Sequence, residues 1–547
     1  MQKKYLSIKL VGMALVAMLA ACGENNDVIP PAIEPEKPGT DEPVTPDRSD
    51  YNSLGEGFVA HKEGDPYNTY MGLVMTGYQG WFGTPGDGSP MTQVPNQGWY
   101  HYRENEMFRP GVLRNSIDFW PDMSEYQVKY TPGEQYPAQP SGTSAYSASP
   151  FLFSDGSHAQ LFSSYDESTV MLHFKWMQQY GIDGAFMQRF VGEILSADHK
   201  DHFDTVLRHA MKASNEYKRA ISVMYDMSGC SENMLGTMVN DAQALMNEYA
   251  LNDRSKQKFY LYENGKPLLA LWGVGFNDNA HPKPSVLMKY VEQLQAQGWS
   301  IMLGCPAYWR QGGNDCVTGA EHTALINLIK KCDAFMPWYV GRFGYDNFGN
   351  DDWQNRIKQD IEKAKTFSTK DHKVVYAVHT FPGGSDRNMH PNNGYPGGDG
   401  TNTGFRFGGK FFWKQLYCDI KNGAEAIYVG MFDEMDEGTA IFKQMHVSEV
   451  PSNIPYPFNS VPTSGDYTYT NGGTDYWVTF TTKDTYGTSS SQKTGSDVRW
   501  CEKASDLNIK FQGIDDNLPT DHYLWITGQG AKMLVGDIKM TEELPKR

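Results

Sequence analysis

The chain contains eight short, almost wholly apolar segments, and no other feature of the sequence constrains its fold as strongly. Near-continuous apolar runs of this length are typical of parallel strands that are buried on both faces. The stretches between them repeat apolar residues every three or four positions, as residues 203–211 and 286–294 do, and this spacing predicts helices. The eight segments are residues 73–78, 182–187, 220–225, 268–272, 299–304, 334–338, 374–379 and 426–432.

Strands that alternate with helices predict an α/β fold, and eight strands favour a closed (β/α)8 barrel of the TIM type. An open, doubly wound sheet is the main alternative. Neither GxGxxG nor GxxxxGK follows any of the eight segments, so the open sheet would lack its usual phosphate-binding loop. The sequence therefore predicts the closed barrel.

Two long insertions interrupt the alternation of strands and helices. Residues 79–181 separate the first two segments, and their middle, near residues 132–149, is rich in Gly, Pro and Ser. The second insertion spans roughly residues 446–517, where Tyr467, Tyr469, Trp477 and Phe480 alternate with polar residues and predict a β-hairpin. Loops of this length in a compact domain usually carry function. We expect residues 51–547 to form the barrel, with residues 446–517 as a β-rich insertion.

The N-terminus has the features of an export signal. Basic residues precede an apolar run, residues 10–21, that is too short to span a bilayer. The run ends in LAACG, which resembles a bacterial lipobox and predicts a signal peptide over residues 1–22 with Cys22 as the lipidated residue; a plain secretory peptide is the alternative. Residues 23–50 are rich in Pro, Glu and Asp and predict a disordered tether. We therefore expect an exported lipoprotein of a Gram-negative outer membrane, on the cell surface or the periplasmic face, attached to the membrane through its lipid alone.

Charge and cysteine content narrow the possible partners. The net charge of −17 disfavours nucleic acid and anionic lipid, because both would be repelled. The 13 Trp, 32 Tyr and 27 Phe suit a carbohydrate-binding cleft, although large proteins commonly hold many aromatic residues. The six cysteines after Cys22 form no CxxC motif or cluster with histidine, so we predict neither a metal site nor a cofactor. The sequence leaves open whether Cys305 and Cys316 pair.

Candidate site residues follow the predicted strands directly. Catalytic and binding groups of such barrels stand at the C-terminal ends of the strands. No Ser-His-Asp order appears there, and no histidine pair with metal-ligand spacing lies beside an acid, which disfavours a serine hydrolase and a metalloenzyme. The candidates for binding a substrate are Tyr78, Trp81, Gln188, Arg189, Asp226, Trp272, Tyr308, Trp309, Tyr339, His379 and Asp436.

The strongest local signal is the acidic run that follows the eighth segment, FDEMDEGT at residues 432–439. Cleavage of a glycosidic bond needs one carboxyl to protonate the leaving oxygen and a second to activate a nucleophile. Glu434 and Glu437 are three residues apart on a turn, and the crowding of four acids should raise at least one pKa. An acidic helix N-terminus is the alternative explanation. The position after the eighth strand favours catalysis.

The motif EMDEGT resembles EWHEGT of glycoside hydrolase family 99, the endo-acting α-mannosidases and α-mannanases, and more broadly the family 71/99-like proteins. The resemblance extends from about Ser53 to Ile538 and includes GYQGWFG at residues 77–83, GIDG at 181–184, GKP at 265–267 and LPTDHYL at 518–524. It implies a retaining mechanism through a 1,2-anhydro sugar. Glu434 matches the acid that deprotonates the sugar 2-hydroxyl, and Glu437 the acid that protonates the leaving group and later activates water. Met435 and Asp436 replace the family's Trp and His.

The sequence thus predicts a glycoside hydrolase that cleaves α-linked, α-mannan-like chains, internally, with a polysaccharide or oligosaccharide as its partner. Two alternatives remain. One is a hydrolase of another α-glycan, such as the α-1,3-glucan of the related family 71. The other is a non-catalytic surface lipoprotein that binds glycans, and the presence of both Glu434 and Glu437 argues against it.

Overall fold

The computed structural model describes residues 58–93, 98–102, 117–132, 151–349, 352–385, 406–452 and 511–547, together with Leu54, Phe108, Asn388 and the backbone of three strands between residues 465 and 501. The predicted signal peptide, its Cys22 and the tether lie outside the described residues, as does most of the insertion at residues 446–517. None of the described helices is both long enough and apolar enough to cross a bilayer.

Eight parallel strands form a closed barrel. Each strand pairs with the next along the chain, and the last pairs with the first, where Val74 lies opposite Ile427. This arrangement confirms the predicted (β/α)8 barrel, and each strand overlaps one of the eight apolar segments. The strands are β1 Val74–Tyr78, β2 Gly184–Phe190, β3 Ala220–Asp226, β4 Lys266–Trp272, β5 Ser300–Pro306, β6 Ala334–Trp338, β7 Val375–Thr380 and β8 Ala426–Val429.

Helices lie between consecutive strands and after the last one. Helix α4 begins with Pro284, whose missing N–H costs nothing at the first position of a helix. Helix α8 follows β8 and packs against α1 and α7, so it closes the ring of helices. The principal helices are α1 Glu167–Tyr180, α2 Ala197–Tyr217, α3 Leu235–Glu248, α4 Pro284–Ala296, α5 Gly319–Lys331, α6 Asp352–Lys365, α7 Lys410–Lys421 and α8 His522–Val535.

Helix α8 approaches the end of α1 at Gly528. A Cβ atom at this position would lie 1.7 Å from the backbone oxygen of Tyr180, so only glycine permits the contact. The buried face of α8 then covers the barrel, as the apolar stretch at residues 522–526 predicts.

The side chains of the strands form two separate cores. Successive residues of a strand point to opposite faces, so one set fills the barrel interior while the other packs under the helices. Large flexible side chains occupy much of the interior, which Met75, Phe186, Met224, Met302 and Tyr428 help to fill. The alternation also decides which residues at the upper ends of the strands face the mouth of the barrel.

The second insertion contributes three described strands. Gly465–Asn471 (β9) and Thr474–Phe480 (β10) pair in antiparallel fashion where the sequence predicts a hairpin, and Val498–Cys501 (β11) adds in parallel to β10. Elsewhere in the described chain five cysteines are buried free thiols, and Cys305 and Cys316 are two of them.

Candidate active site

The four predicted acids lie on the loop that leaves β8, residues 432–440, which we call the acid loop. Asp433 accepts hydrogen bonds from the backbone N–H groups of Gln79 (2.8 Å) and Gly80 (2.9 Å). Burial raises the pKa of Asp433 to about 7. Because both carboxylate oxygens bind backbone that follows β1, Asp433 ties the loops of two neighbouring strands together at the mouth of the barrel.

Glu434 is buried at this junction, with 3% of its surface exposed. Its Oε1 accepts a hydrogen bond from Gln79 Nε2 at 2.6 Å, and its Oε2 accepts one from Thr439 Oγ1 at 2.7 Å. Burial raises the pKa of Glu434 well above its usual range, and the negative charges of Glu437 and Asp436 add to this effect. The two hydrogen bonds act in the opposite direction, because they stabilise the ionised form.

Glu437 is half-buried on the outer part of the acid loop. Its backbone oxygen accepts a hydrogen bond from Ser385 N at 2.7 Å. The next residue, Gly438, has a φ of +64°, and a Cβ there would lie 2.7 Å from the same nitrogen. A glycine is therefore required for this turn, and Glu437, which precedes it, lies close enough to Glu434 for their charges to interact.

A buried arginine fixes the far end of the acid loop. Arg406 Nη2 donates hydrogen bonds to the backbone oxygens of Gly438 and Ala440, both at 2.7 Å. Its guanidinium lies between the rings of Phe119 (4.3 Å) and Tyr523 (4.5 Å). Burial lowers the pKa of Arg406 to about 10, which still leaves it charged at neutral pH. Arg406 thus holds the loop in place from outside the barrel.

Four of the predicted residues that lie on strands reach the mouth of the barrel, and Trp338 joins them. The ring of Trp338 stacks on His379, with centroids 4.5 Å apart, and meets Trp272 edge-on at 5.4 Å. Gln188 lies in the last half of β2, and Asp226 ends β3, where it is opposite Trp272 of β4. Aromatic faces beside amide and carboxylate groups suit the binding of a sugar, which presents both C–H faces and hydroxyls.

His379 presents a hydrogen-bond donor at this mouth. Its Nδ1 accepts a hydrogen bond from Tyr339 N at 2.9 Å, which places the proton on Nε2. Burial lowers the pKa of His379 to about 3, so the ring is neutral. Buried polar atoms at the mouth that bond to none of the described residues include His379 Nε2, Trp272 Nε1 and Gln188 Oε1.

The structure does not place the predicted site residues Tyr78 and Arg189 at the mouth of the barrel. Tyr78 is fully buried, and its hydroxyl bonds to Nδ1 of His173 on α1 at 2.8 Å. Arg189 forms an ion pair with Asp241 of α3, with Nε and Oδ2 2.5 Å apart. Both side chains lie on the outward face of their strands, where they connect the barrel to its helices.

The predicted site residues Trp309 and Tyr339 likewise lie away from the mouth of the barrel. Trp309 is fully buried and packs edge-on against Phe335, 5.0 Å away, on the outward face of β6. Tyr339 is also fully buried and bonds to Asp360 of α6. Tyr308 is half-buried. The guanidinium of Arg356, also from α6, lies 3.8 Å from the centre of its ring, so the ring of Tyr308 packs against a helix on the outside of the barrel.

The sequence did not reveal four residues that complete the site: Gln79, His101, Trp338 and Arg406. The period of two along β6 could have identified Trp338, because it shares a face with Ala334 and Met336. His101 contacts two predicted residues, since it stacks on Trp81 and bonds to Asp436. Nothing local marks His101 or Arg406, which reach the site from distant loops.

Among the described residues, no group of three or more His, Cys, Asp or Glu side chains is arranged to hold a metal ion.

Comparisons with known proteins bear on the fold. No family model and no curated protein match the sequence. Two solved structures of the GH99 endo-α-mannosidase from Bacteroides thetaiotaomicron align with the chain. The one in complex with BIS-TRIS-propane is 12% identical over 86% of this chain and 99% of that chain, with a TM-score of 0.47. The other is 14% identical over 85% of this chain and 98% of that chain, with a TM-score of 0.46. A GH5_18 structure from Bifidobacterium longum aligns at 9% identity over 51% of this chain and 70% of that chain, with a TM-score of 0.33. At such identities the likeness concerns the fold and assigns no activity to this chain.

Proposed function

We propose that the protein is a glycoside hydrolase that cleaves α-linked glycan chains, with Glu434 and Glu437 as its catalytic carboxyls. The observation that carries the proposal is the acid loop, which places one buried and one half-buried glutamate together at the C-terminal mouth of a (β/α)8 barrel. This is the end of the barrel at which enzymes of this fold carry out their chemistry.

Glu434 is assigned the role of general base. In its ionised form it takes the proton of the sugar 2-hydroxyl, whose oxygen attacks the anomeric carbon of the same ring and gives a 1,2-anhydro sugar. A carboxylate whose pKa is raised towards the working pH is a stronger base than an ordinary one. The burial of Glu434 and its acidic neighbours supply this increase, while Gln79 and Thr439 hold both its oxygens in place.

Glu437 is assigned the role of general acid. It protonates the leaving glycosidic oxygen as the bond to the anomeric carbon breaks, and it then accepts a proton from the water that attacks the anomeric carbon. As the anhydro ring opens, the bond from the anomeric carbon to the 2-oxygen breaks and Glu434 returns its proton to that oxygen. Water adds to the anomeric carbon from the side of the departed group, so the configuration is retained. The half-buried position of Glu437 supports this role, because a leaving chain and a water molecule must both reach it.

The mouth of the barrel supports a neutral glycan as the substrate. The rings of Trp272, Trp338 and His379 supply flat apolar faces. The positive charge of Arg342, which helps to lower the pKa of His379, is paired with Asp315. An α-mannan-like polymer, cleaved internally, is the first candidate on the resemblance of the acid loop to family 99.

The test is a polysaccharide panel that includes α-mannan and α-1,3-glucan, with analysis of product length and anomeric configuration. On the cleaved substrate, Glu434→Gln and Glu437→Gln should each lose at least about a hundredfold in kcat, the usual size of a general acid–base contribution. Glu292→Gln, which alters an exposed residue of α4 that pairs with Lys331, is the control and should keep its activity.

Leaving groups separate the two roles. Activated aryl glycosides need little protonation, so Glu437→Gln should retain much more activity on them than on the natural glycan, while Glu434→Gln should be slow on both. Substrates without a free 2-hydroxyl should not be cleaved by the wild type. Near-normal rates of both variants on the natural glycan would show that the acid pair is not catalytic.

A further inference from the structure

Three residues from separate loops meet beside the catalytic pair: Trp81, His101 and Asp436. The loops that carry Trp81 and Asp436 follow β1 and β8, which are adjacent in the barrel. His101 comes from the first insertion, and its Nδ1 lies 3.1 Å from Oδ2 of Asp436. The insertion therefore contributes a side chain to the acid loop itself.

The ring of His101 is held in one orientation. It stacks face to face on Trp81, with centroids 3.7 Å apart and planes 2° from parallel, and Trp81 packs in turn against Phe190, 5.5 Å away. One edge of the imidazole is then directed at Asp436. An ordinary surface ion pair needs no such support, because its partners adjust freely.

Asp436 has an acceptor that this contact does not use. Its side chain is 2% exposed, and while Oδ2 bonds to His101, Oδ1 is buried and bonds to none of the described residues. A buried carboxylate oxygen without a donor is costly, so such atoms in native proteins usually await a ligand or bind water. Asp436 is two residues from Glu434, and its negative charge helps to raise the pKa of Glu434, so this oxygen belongs to the immediate surroundings of the proposed base.

We infer that Trp81, His101 and Asp436 form a recognition group for the sugar bound beside Glu434, in which Oδ1 of Asp436 accepts a hydrogen bond from a hydroxyl of that sugar. His101 is a positioning residue in this group, since it fixes Oδ2 and thereby aims Oδ1. The inference rests on the proposed function and deepens it, because it names the atom that selects for a hydroxyl at one position of the ring.

The test compares kcat and KM of variants on the shortest oligosaccharide that the wild type cleaves. Asp436→Ala should raise KM at least about tenfold, because a hydrogen bond to a charged acceptor is lost, and should leave kcat within about threefold. His101→Ala should raise KM in the same way. The double variant should be no worse than Asp436→Ala alone, because His101 acts through Asp436.

The conservative variant Asp436→Asn distinguishes recognition from a merely structural role. Its amide can donate to Nδ1 of His101 and keep a carbonyl oxygen as acceptor, so KM should return most of the way to the wild-type value. The matched control is His446→Ala, which breaks an imidazole–carboxylate pair of the same 3.1 Å separation, with the exposed Glu449, and should leave KM unchanged.

The outcomes separate this inference from the proposed function. A wild type that cleaves no glycan removes both at once. An active wild type whose KM is unchanged in Asp436→Ala overturns the inference alone, as does a double variant whose losses add. A collapse of kcat at constant KM would also overturn it, because Asp436 would then act in the chemical step and not in recognition.

Discussion

The hydrogen bond from Thr439 to Glu434 offers a direct test of how the acid loop sets its own chemistry. Thr439→Val keeps the shape of the side chain and removes only the hydroxyl that donates to Oε2 of Glu434 at 2.7 Å. That bond stabilises the ionised carboxylate and lowers the pKa of Glu434. Its removal must therefore raise a pKa that burial has already raised.

The size of the change follows from the kind of bond that is lost. A hydrogen bond to a charged group contributes about 1.5–3 kcal/mol, and one pKa unit corresponds to about 1.4 kcal/mol. The pKa of Glu434 should therefore rise by about one to two units in Thr439→Val. If Glu434 is the base, activity depends on its ionised form, so the acidic limb of the kcat/KM profile should move to higher pH by that amount.

The assay is kcat/KM against pH for the wild type, Thr439→Val and the control Thr380→Val. Thr380 is also a buried threonine, but its hydroxyl bonds to none of the described residues, so its replacement should leave both limbs in place. A shift of the basic limb in Thr439→Val would reverse the roles of the two glutamates. Coincident profiles for all three proteins would refute the reasoning altogether.

Three further predictions concern the mouth, the barrel wall and the membrane anchor. Trp338→Ala should raise KM about tenfold through loss of a stacking face, whereas Trp309→Ala should leave KM unchanged and lower the free energy of unfolding by about 3–5 kcal/mol, measured by urea denaturation. Arg189→Met leaves the buried Asp241 without its ion-pair partner. It should lower the free energy of unfolding by about 3–5 kcal/mol in the same assay without a change in KM. Cys22→Ala should release the protein from the membrane fraction. Lipidation would be contradicted if this variant stayed membrane-bound and the wild-type protein carried no lipid.

The order of strands and helices could be predicted from the sequence because it depends on local patterns. A parallel strand buried on both faces must be apolar along its whole length, and a helix packed on a barrel must be apolar on one side. Both requirements produce recognisable patterns of apolar residues in the sequence. The acid loop was found in the same way, because catalytic groups of this fold follow the strands and Glu434 and Glu437 come directly after the eighth.

The sequence did not predict correctly the direction of each side chain at the mouth of the barrel. Tyr339 and Trp338 are neighbours, and Trp338 lies at the mouth while Tyr339 lies under α6, because successive residues point to opposite faces. An error of one residue therefore exchanges a residue at the mouth of the barrel for a residue packed under a helix. Trp309 was misplaced because, beyond the end of a strand, the turn decides the direction and leaves no periodic signal.

Tertiary structure alone decided the electrostatics of the site and the residues that complete it. The pKa of Glu434 depends on its burial and on charges nearby, and both exist only once the loops after β1 and β8 have met. His101 is 335 residues from Asp436 in the sequence and Arg406 is 32 residues from Gly438, so no local pattern could mark them. Sequence periodicity records which face of an element is buried, whereas the partners of a buried polar group are set by the closure of the barrel, which brings distant loops to one end.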